Sequence, residues 1–580
     1  MSYPMMIPRS YATLVALLAA ALLASTGAAA PRKGVSLDDL VPSRKPAARP
    51  RPVTKKLAPR PAPRSGVKAL PPRPRPLSQR AQVILTVSRA APGQFRTLAE
   101  ALKKAPAGAR IQVSPGTYAE SLTLERPVEL VSARPVEPVV LESAGLSCVT
   151  MRTSQALLRG FTLRQSGEKP ATYTVAIPQG QLRLEACDLS GGAAGCIQVT
   201  GPQAISLLKG CTLRGGDEQG LLVENHARVT LEDCTVSNAG LGLRVRGESE
   251  ATLRNCRINE NQSGGIQFTE RSRGVVESCD LRANSGSGVE ILEGATPLLK
   301  LTRIHRGVQG VTIAGKSEPI LDTCEVLSNS LSGISVSGES RPVLRQTRIY
   351  DQRGSGLVYT GRSAGTVTYC DVRGSTDGPC VSVGGGSTPT LVRCTIREAR
   401  KRGIQIDSSA SPTLDNCEIH HNGEFNAHIS NESKAVLRNC RLYNAGGASV
   451  VIELGAQPTL DNCHISASTE GVYVWGQAAP RLTRCRIFDN KKEGLKFEIN
   501  GLGTYEDCEI TGNGTAGAWM IRDANPTFRR CRIVDGRGHG IFVGGGGRGV
   551  FEECLIARNA RGNISSTEKG SPVLQASRVE

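Results

Sequence analysis

One sequence element returns every 23 residues, with slips of one, from Cys187 to the end of the chain, and that period governs what the chain can fold into. It reads P-T-L-x-x-C-x-I-x-x-N-x-x-G-I-x-V and is clearest in SPTLDNCEIHHN, QPTLDNCHISAS, APRLTRCRIFDN and NPTFRRCRIVDG. Its cysteines fall at 187, 211, 234, 256, 279, 324, 370, 394, 417, 440, 463, 485, 508, 531 and 554, and Thr302, Thr347 and Ser577 take three vacant places. A unit this short cannot enclose a core alone, so neighbouring copies must stack. One solenoid is therefore expected in place of the several domains that 580 residues would otherwise suggest.

Within each unit the residue after the cysteine is often charged, the next is Ile, Leu or Val, and the third is polar, which is the period-two alternation of a strand with the cysteine facing inward. A second alternation follows the glycine in GLRV, GIQF, GVEI, GISV, GIQI, GLKF and GIFV. Each unit thus carries at least two short strands, with room for a third. The expected architecture is all-β, a parallel solenoid of about nineteen coils stacked about 4.8 Å apart. Equivalent residues then form columns along the axis. Arg303, Glu325, Arg348 and Asp371 share one outward column, as do Glu418 with Arg441, and Arg486 with Glu509 and Arg532. Such exposed pairs contribute about 0 to 1 kcal/mol each, so their role is to set register between similar coils. Asn261, Asn284, Asn329, Asn422, Asn490, Asn513 and Asn559 stand five residues after a marker and read as a partial asparagine ladder at a turn.

The cysteine column reads as buried free thiols. No C-x-x-C pair converges on a metal, and parallel Cβ vectors in stacked coils do not suit the disulfide torsion. Cys148, Cys196 and Cys380 lie off the column and have no assignment from the pattern.

Before the repeat, Arg9, the apolar run Ala12 to Ala24 and the small residues Ala28 to Ala30 read as a signal peptide over 1–30. Residues 31–80 hold 14 Lys/Arg against Asp38 and Asp39, with 12 prolines, and read as a disordered linker. That segment carries most of the formal +19, leaving about +6 on residues 81–580, so no nucleic-acid partner is expected. The linker reads either as a passive spacer or as a tether to anionic envelope polymers, and the chain as exported to a periplasm, a cell surface or the medium. Residues 81–145 read as an N-terminal cap and the first coils, and 146–580 as the repeats. Thr97 and Glu100 at capping-box spacing, with Leu98, Ala101, Leu102 and Ala105 on one face, predict a helix over 97–105 that covers the open end of the stack.

The segment GQFRTLAEALKKAPAGARIQVSPGTYAESLTLERPVELVS, residues 93–132, resembles the opening of pectin methylesterases and other pectin lyase-like proteins. The repeat is similar to those of polysaccharide lyases and epimerases, of periplasmic copper-handling β-helix proteins and of sugar-hydrolase-like repeat proteins. The resemblance implies a right-handed, single-stranded parallel β-helix. It does not extend to catalytic signatures: no DPHE-type epimerase motif, no paired-aspartate glycosidase motif and no esterase Gln/Asp signature is found. The Gly-His-Gly around His539 occupies a repeat turn and is read as a turn.

Two outward columns are candidates for function. The first runs His305, Leu327, Tyr350, Arg373, Arg397, His420 and Tyr443, with Arg353, Arg400, Lys401, Arg402 and His421 in nearby turns. Arg neutralises a uronate and Tyr or His can remove a C5 proton, so Tyr350, Arg397 and His420 are the catalytic candidates, with Arg373, Lys401, Arg402 and His421 binding substrate. The second column, Tyr473, Lys496, Trp519 and Phe542, suits stacking against sugar rings or a protein partner. His420, His421 and His428 lack a convincing metal-ligand spacing. No cofactor is expected, although a lyase would imply Ca²⁺. The leading reading is a non-catalytic scaffold that binds a polysaccharide or an envelope partner along its side. The alternatives are a lyase or epimerase acting on a uronate polymer, and a periplasmic copper-handling protein. The repeat stops within a coil at SPVLQASRVE, which suggests self-association at that end.

Overall fold

The computed structural model describes residues 83–90, 93–166, 172–567 and 569–580, so the signal segment and the basic linker lie outside the described residues. From Ile84 onward the chain winds as a parallel β-helix with three sheets. One coil shows the plan: Thr413–Asp415 lies in sheet A, Glu418–His420 in sheet B and Phe425–Ile429 in sheet C. Every coil pairs with the next in parallel register, as Thr395 with Glu418 and Glu418 with Arg441. Sheet A has 22 strands, and the helix has about 21 coils. This corrects the expected nineteen. The coils before Cys187 lack the marker and vary in length: Ala109 pairs with Val128, 19 residues on, and Val149 with Val175, 26 residues on.

The marker cysteine sits at the corner between sheets A and B. The residue before it adopts the left-handed conformation, as at Asn416 (φ 53), Asn439 (φ 55) and Asn462 (φ 51), which turns the chain through the corner and points the thiol inward. All 18 cysteines are buried and unpaired. The thiol reaches a carbonyl of the preceding coil, as Cys417 Sγ to Leu391 O at 3.5 Å, and Thr302 makes the same contact through Oγ1 to Val276 O at 3.0 Å. The position thus demands a small donor, which is why Cys, Thr and Ser interchange there.

The corner between sheets B and C is built on the asparagine ladder. Asn490 donates through its backbone N–H and through Nδ2 to Asn513 Oδ1 at 3.1 and 3.0 Å, and Asn513 Nδ2 donates to Ile487 O at 3.1 Å. Gln352 and Ser468 fill two gaps in the ladder, accepting from Asn329 N and Ala445 N. The left-handed residue of this turn is the one before the amide, such as His421 (φ 55) before Asn422 or Asp489 (φ 53) before Asn490.

The glycine opening the sheet C alternation faces inward against this ladder. A Cβ on Gly494 would stand 2.6 Å from Asn513 Nδ2 and 2.9 Å from Ile510 Cγ2. The residue after the glycine faces inward too, so the two-residue alternation slips there. Cys148, Cys196 and Cys380 occupy this same column: each immediately precedes a strand residue in register with one that follows Thr174, Gly220 or Gly403. They substitute for glycine in coils with room for a small side chain.

At the N-terminal end the helix is Leu98–Lys104, capped by Thr97, whose hydroxyl accepts from Glu100 N at 3.2 Å. The Glu120 carboxylate takes the next free amides, Leu98 N at 3.0 Å and Ala99 N at 2.8 Å, and Leu98 and Ala101 are buried against the core. Among the described residues no helix is long and apolar enough to cross a membrane.

Candidate functional site on the outer face of sheet C

The sheet B column forms in the expected register, with Tyr350 beside Arg373, Arg373 beside Arg397, Arg397 beside His420 and His420 beside Tyr443. Its cations are engaged. Arg397 Nη2 lies 3.1 Å from Asp371 Oδ2 and Nη1 2.5 Å from Glu398 Oε1, while Arg373 Nε lies 3.4 Å from Asp371 Oδ2 and its guanidinium packs 5.0 Å from the Tyr350 ring. His420 stacks on Tyr443 at 4.7 Å and meets His421 through the two Nδ1 atoms at 2.7 Å. Burial, with His421 and Arg397 nearby, holds the His420 imidazole below the usual histidine range and favours its neutral form. His421 Nε2 also accepts from Asn444 Nδ2 at 3.1 Å. Lys401 and Arg402 stand apart from this column. Lys401 is exposed near Asp377 O, and Arg402 opens a sheet C strand, pairing with Glu424 at 3.4 Å and lying over Phe425. His305, at the head of the column, is buried against Asp280 at 2.9 Å.

The second column is on sheet C and is equally regular: Tyr473 pairs with Lys496, Lys496 with Trp519 and Trp519 with Phe542. Trp519 and Phe542 stack with centroids 3.8 Å apart and planes 15° apart, and both are half-buried. Lys496 Nζ lies 4.6 Å from the Tyr473 centroid, 3.3 Å from Glu498 Oε1 and 3.7 Å from Glu470 Oε1. Tyr473 Oη donates to Glu498 Oε2 at 3.1 Å, and Arg522 pairs with Glu498 at 3.6 Å. Burial and the Glu498 charge push the Tyr473 hydroxyl well up.

Three residues of this face escape a reading by spacing. Trp475 ends the strand that carries Tyr473 and pairs in register with Glu498, so both tryptophans of the chain stand on this face. Glu470 and Glu493 begin their strands. Because Gly494 and Leu495 both face inward, Glu493 points outward, where simple alternation would bury it in the core. Only 8% of Glu493 is exposed, and no described residue gives it an ion pair or a side-chain hydrogen bond. Burial raises its carboxyl above the usual range, with Glu470 adding to the rise and its own backbone N–H, Lys496 and Lys492 opposing it. His539 is also found here, correcting its reading as a turn. It opens the strand His539–Val543, pairs in register with Ala516 and lies 6.2 Å from the Phe542 ring, with Nδ1 buried and unpartnered.

His428 stands in the same column two coils before Tyr473 and is held by Glu453 at 2.9 Å, away from His420 and His421. Among the described residues no group of three His, Cys, Asp or Glu side chains is arranged to hold a metal ion. A groove of about 610 Å³ follows the turn after sheet B, open to solvent and lined by Arg306, Asp351, Arg353 and Thr376, with Arg353 tied to Asp377 at 3.1 Å.

These features define a three-sheet parallel β-helix with an aromatic and acidic patch on one sheet. The right-handed β-helix region model matches residues 195–317, 241–388, 379–503 and 470–580, together about two thirds of the chain, and the chain belongs to that family. Solved structures with a similar fold include a PL6-family alginate lyase (9% identity, 86% of this chain and 100% of that chain, TM-score 0.30). A pectin methylesterase from Aspergillus niger also matches (14%, 42% and 85%, TM-score 0.28), as does the pectate lyase Pel9A (12%, 64% and 77%, TM-score 0.20). At these identities and scores none of them carries an activity or a substrate over to this chain. The curated proteins give no match.

Proposed function

We propose that this chain is an exported β-helix scaffold that binds a saccharide across the outer face of sheet C. One observation carries the reading: Trp519 and Phe542 form a half-exposed stacked pair, continued along the axis by Lys496 and Tyr473. A fold of this kind needs no large outward side chains in that column, and rigid aromatics bury area against a sugar ring at little entropic cost. Steps of about 4.8 Å between neighbours give a track along which successive rings can lie. On the same reading the signal segment exports the chain and the basic linker holds it near anionic envelope polymer. The lyase alternative on sheet B has less support, because Arg373 and Arg397 are already neutralised by Asp371 and Glu398.

Both tryptophans lie on the face, so intrinsic fluorescence of the full chain reports directly on its occupancy. Titration with neutral, acidic and amino oligosaccharides is expected to change the emission for at least one class. Trp519→Ala should weaken that binding at least tenfold, about 1.4 kcal/mol. Unchanged emission across all three classes, or wild-type affinity in the Trp519 variant, would refute the reading.

A further inference from the structure

The carboxylates around the stacked rings bear on the kind of saccharide, an inference that rests on the binding role above. Glu453, Glu470, Glu493 and Glu498 all lie on the outer side of sheet C within three successive coils. Lys496 and Arg522 answer Glu470 and Glu498, and His428 answers Glu453. Glu493 is left over. Only 8% of the residue is exposed, and among the described residues its carboxyl meets no cation at ion-pair distance and no side-chain donor, only its own backbone N–H. A largely buried carboxylate with no ion pair is costly, and a cation from outside the protein would offset that cost. In register, Glu493 lies between Glu470 on one coil and Ala516 on the next, three residues along its strand from Lys496, the neighbour of Trp519. Three strand residues span about 10 Å, so a ligand of two or more sugar rings stacked on Trp519 and Phe542 is long enough to reach it. A second uronate-type anion in this setting would meet two carboxylates, whereas a cation would be received by them.

We propose that the saccharide bound on sheet C carries a free amino group, and that its ammonium is received by Glu493 with Glu470 beside it. The formal charge of the whole chain, +19, repels a polycation, so a preference for an amino sugar cannot come from general attraction and must be local.

The test compares oligomers of glucosamine, the same oligomers N-acetylated, and oligogalacturonate, each titrated into the full chain and followed by tryptophan emission at a pH where the amine is charged. The amino oligomer should bind at least tenfold more tightly than its acetylated form, and Glu493→Gln should bring its affinity down to that of the acetylated form while the circular dichroism spectrum stays that of the wild type. Equal affinity for the amino and acetylated forms, or tighter binding of the uronate, overturns the inference and leaves saccharide binding standing. No response to any oligomer overturns both. The wild-type comparison decides the matter even where the Gln variant folds poorly.

Discussion

Asn513→Leu tests whether the asparagine ladder holds the coils together or merely fills the corner. The wild-type amide is fully buried and serves three groups: its Oδ1 accepts from Asn490 N at 3.1 Å and from Asn490 Nδ2 at 3.0 Å, and its Nδ2 donates to Ile487 O at 3.1 Å. Leucine has nearly the same volume and no polar atom, so all three partners lose their bond in a place water does not reach. Each orphaned buried group costs about 1–3 kcal/mol. Allowing for relaxation and for the apolar surface that leucine buries, the net loss should be about 3–5 kcal/mol. Arg532→Ala, exposed on the following coil, is the control and should change stability by less than about 0.5 kcal/mol.

Stability in a stacked array is close to a sum of coil and interface terms, so a single melting point can hide a local loss. Urea unfolding followed by far-ultraviolet circular dichroism should therefore be paired with amide hydrogen exchange over residues 463–535. The expected result is faster exchange at Asn490 and in the strands Arg486–Phe488 and Glu509–Thr511, with distant coils unaffected. If exchange there matches that of Arg532→Ala and the urea midpoints agree, the ladder is only a filler and the argument fails.

Two further outcomes follow from burial. In the folded chain the thiols should resist a disulfide-exchange reagent at mildly alkaline pH, because they are enclosed and because burial pushes Cys148 up to about 12 and Cys324 up to about 11; after denaturation all 18 should react, and rapid reaction of a large fraction in the folded state would contradict the inward column. For Glu493, the folded state holds the proton more tightly than the unfolded chain, so its contribution falls as pH rises from the ordinary glutamate range through the raised folded value. Glu493→Gln should then melt higher than wild type at neutral pH and show no such advantage in acid, and a lower melting temperature at neutral pH would show that the carboxylate is satisfied within the fold.

Much of this architecture could be seen in the amino-acid sequence because columns repeat. Positions two and five residues after the cysteine land in one place on successive coils, so Cys417, Ile419 and Asn422 predict the surroundings of Cys508, with Ile510 and Asn513. The inward cysteines and the register of both candidate columns followed from this, while the cap helix followed from the Thr97 and Glu100 spacing. The coil number did not, since the coils before Cys187 have their own lengths. Nor did the partners of the arginines: Asp371 reaches Arg397 diagonally across sheet B, and the turn after that sheet, with Glu398 in the left-handed conformation (φ 58), brings Glu398 against it. Glu493 was hidden for a different reason. Counting back by twos from inward Leu495 places it in the core, and the slip at Gly494 reverses that. The usable signal was the glycine itself, which recurs in an inward place beside the ladder that Cys148, Thr174, Cys196, Cys380, Asn426 or Ser449 takes in other coils.

The fold does not require the patch, and that is the reason to assign it a role. Along sheet C the same outward position is Thr312, Ser335, Val358, Ser382 and Gln405 in five successive coils, and the backbone pairing there is no different from that of the coils carrying Tyr473, Lys496, Trp519 and Phe542. Small residues therefore satisfy the sheet. Replacing them with large rings exposes apolar area to water, and placing an unpaired carboxyl beside them adds a desolvation cost, neither of which improves the stacking of coils. The sheet B column is the reverse case, since its large polar residues pair with one another and with their neighbours and so work for the register. A solenoid gives every coil the same chance to carry a ligand. Here the coils from Glu470 to Val543 depart from what packing alone would choose, and the departure is confined to one face.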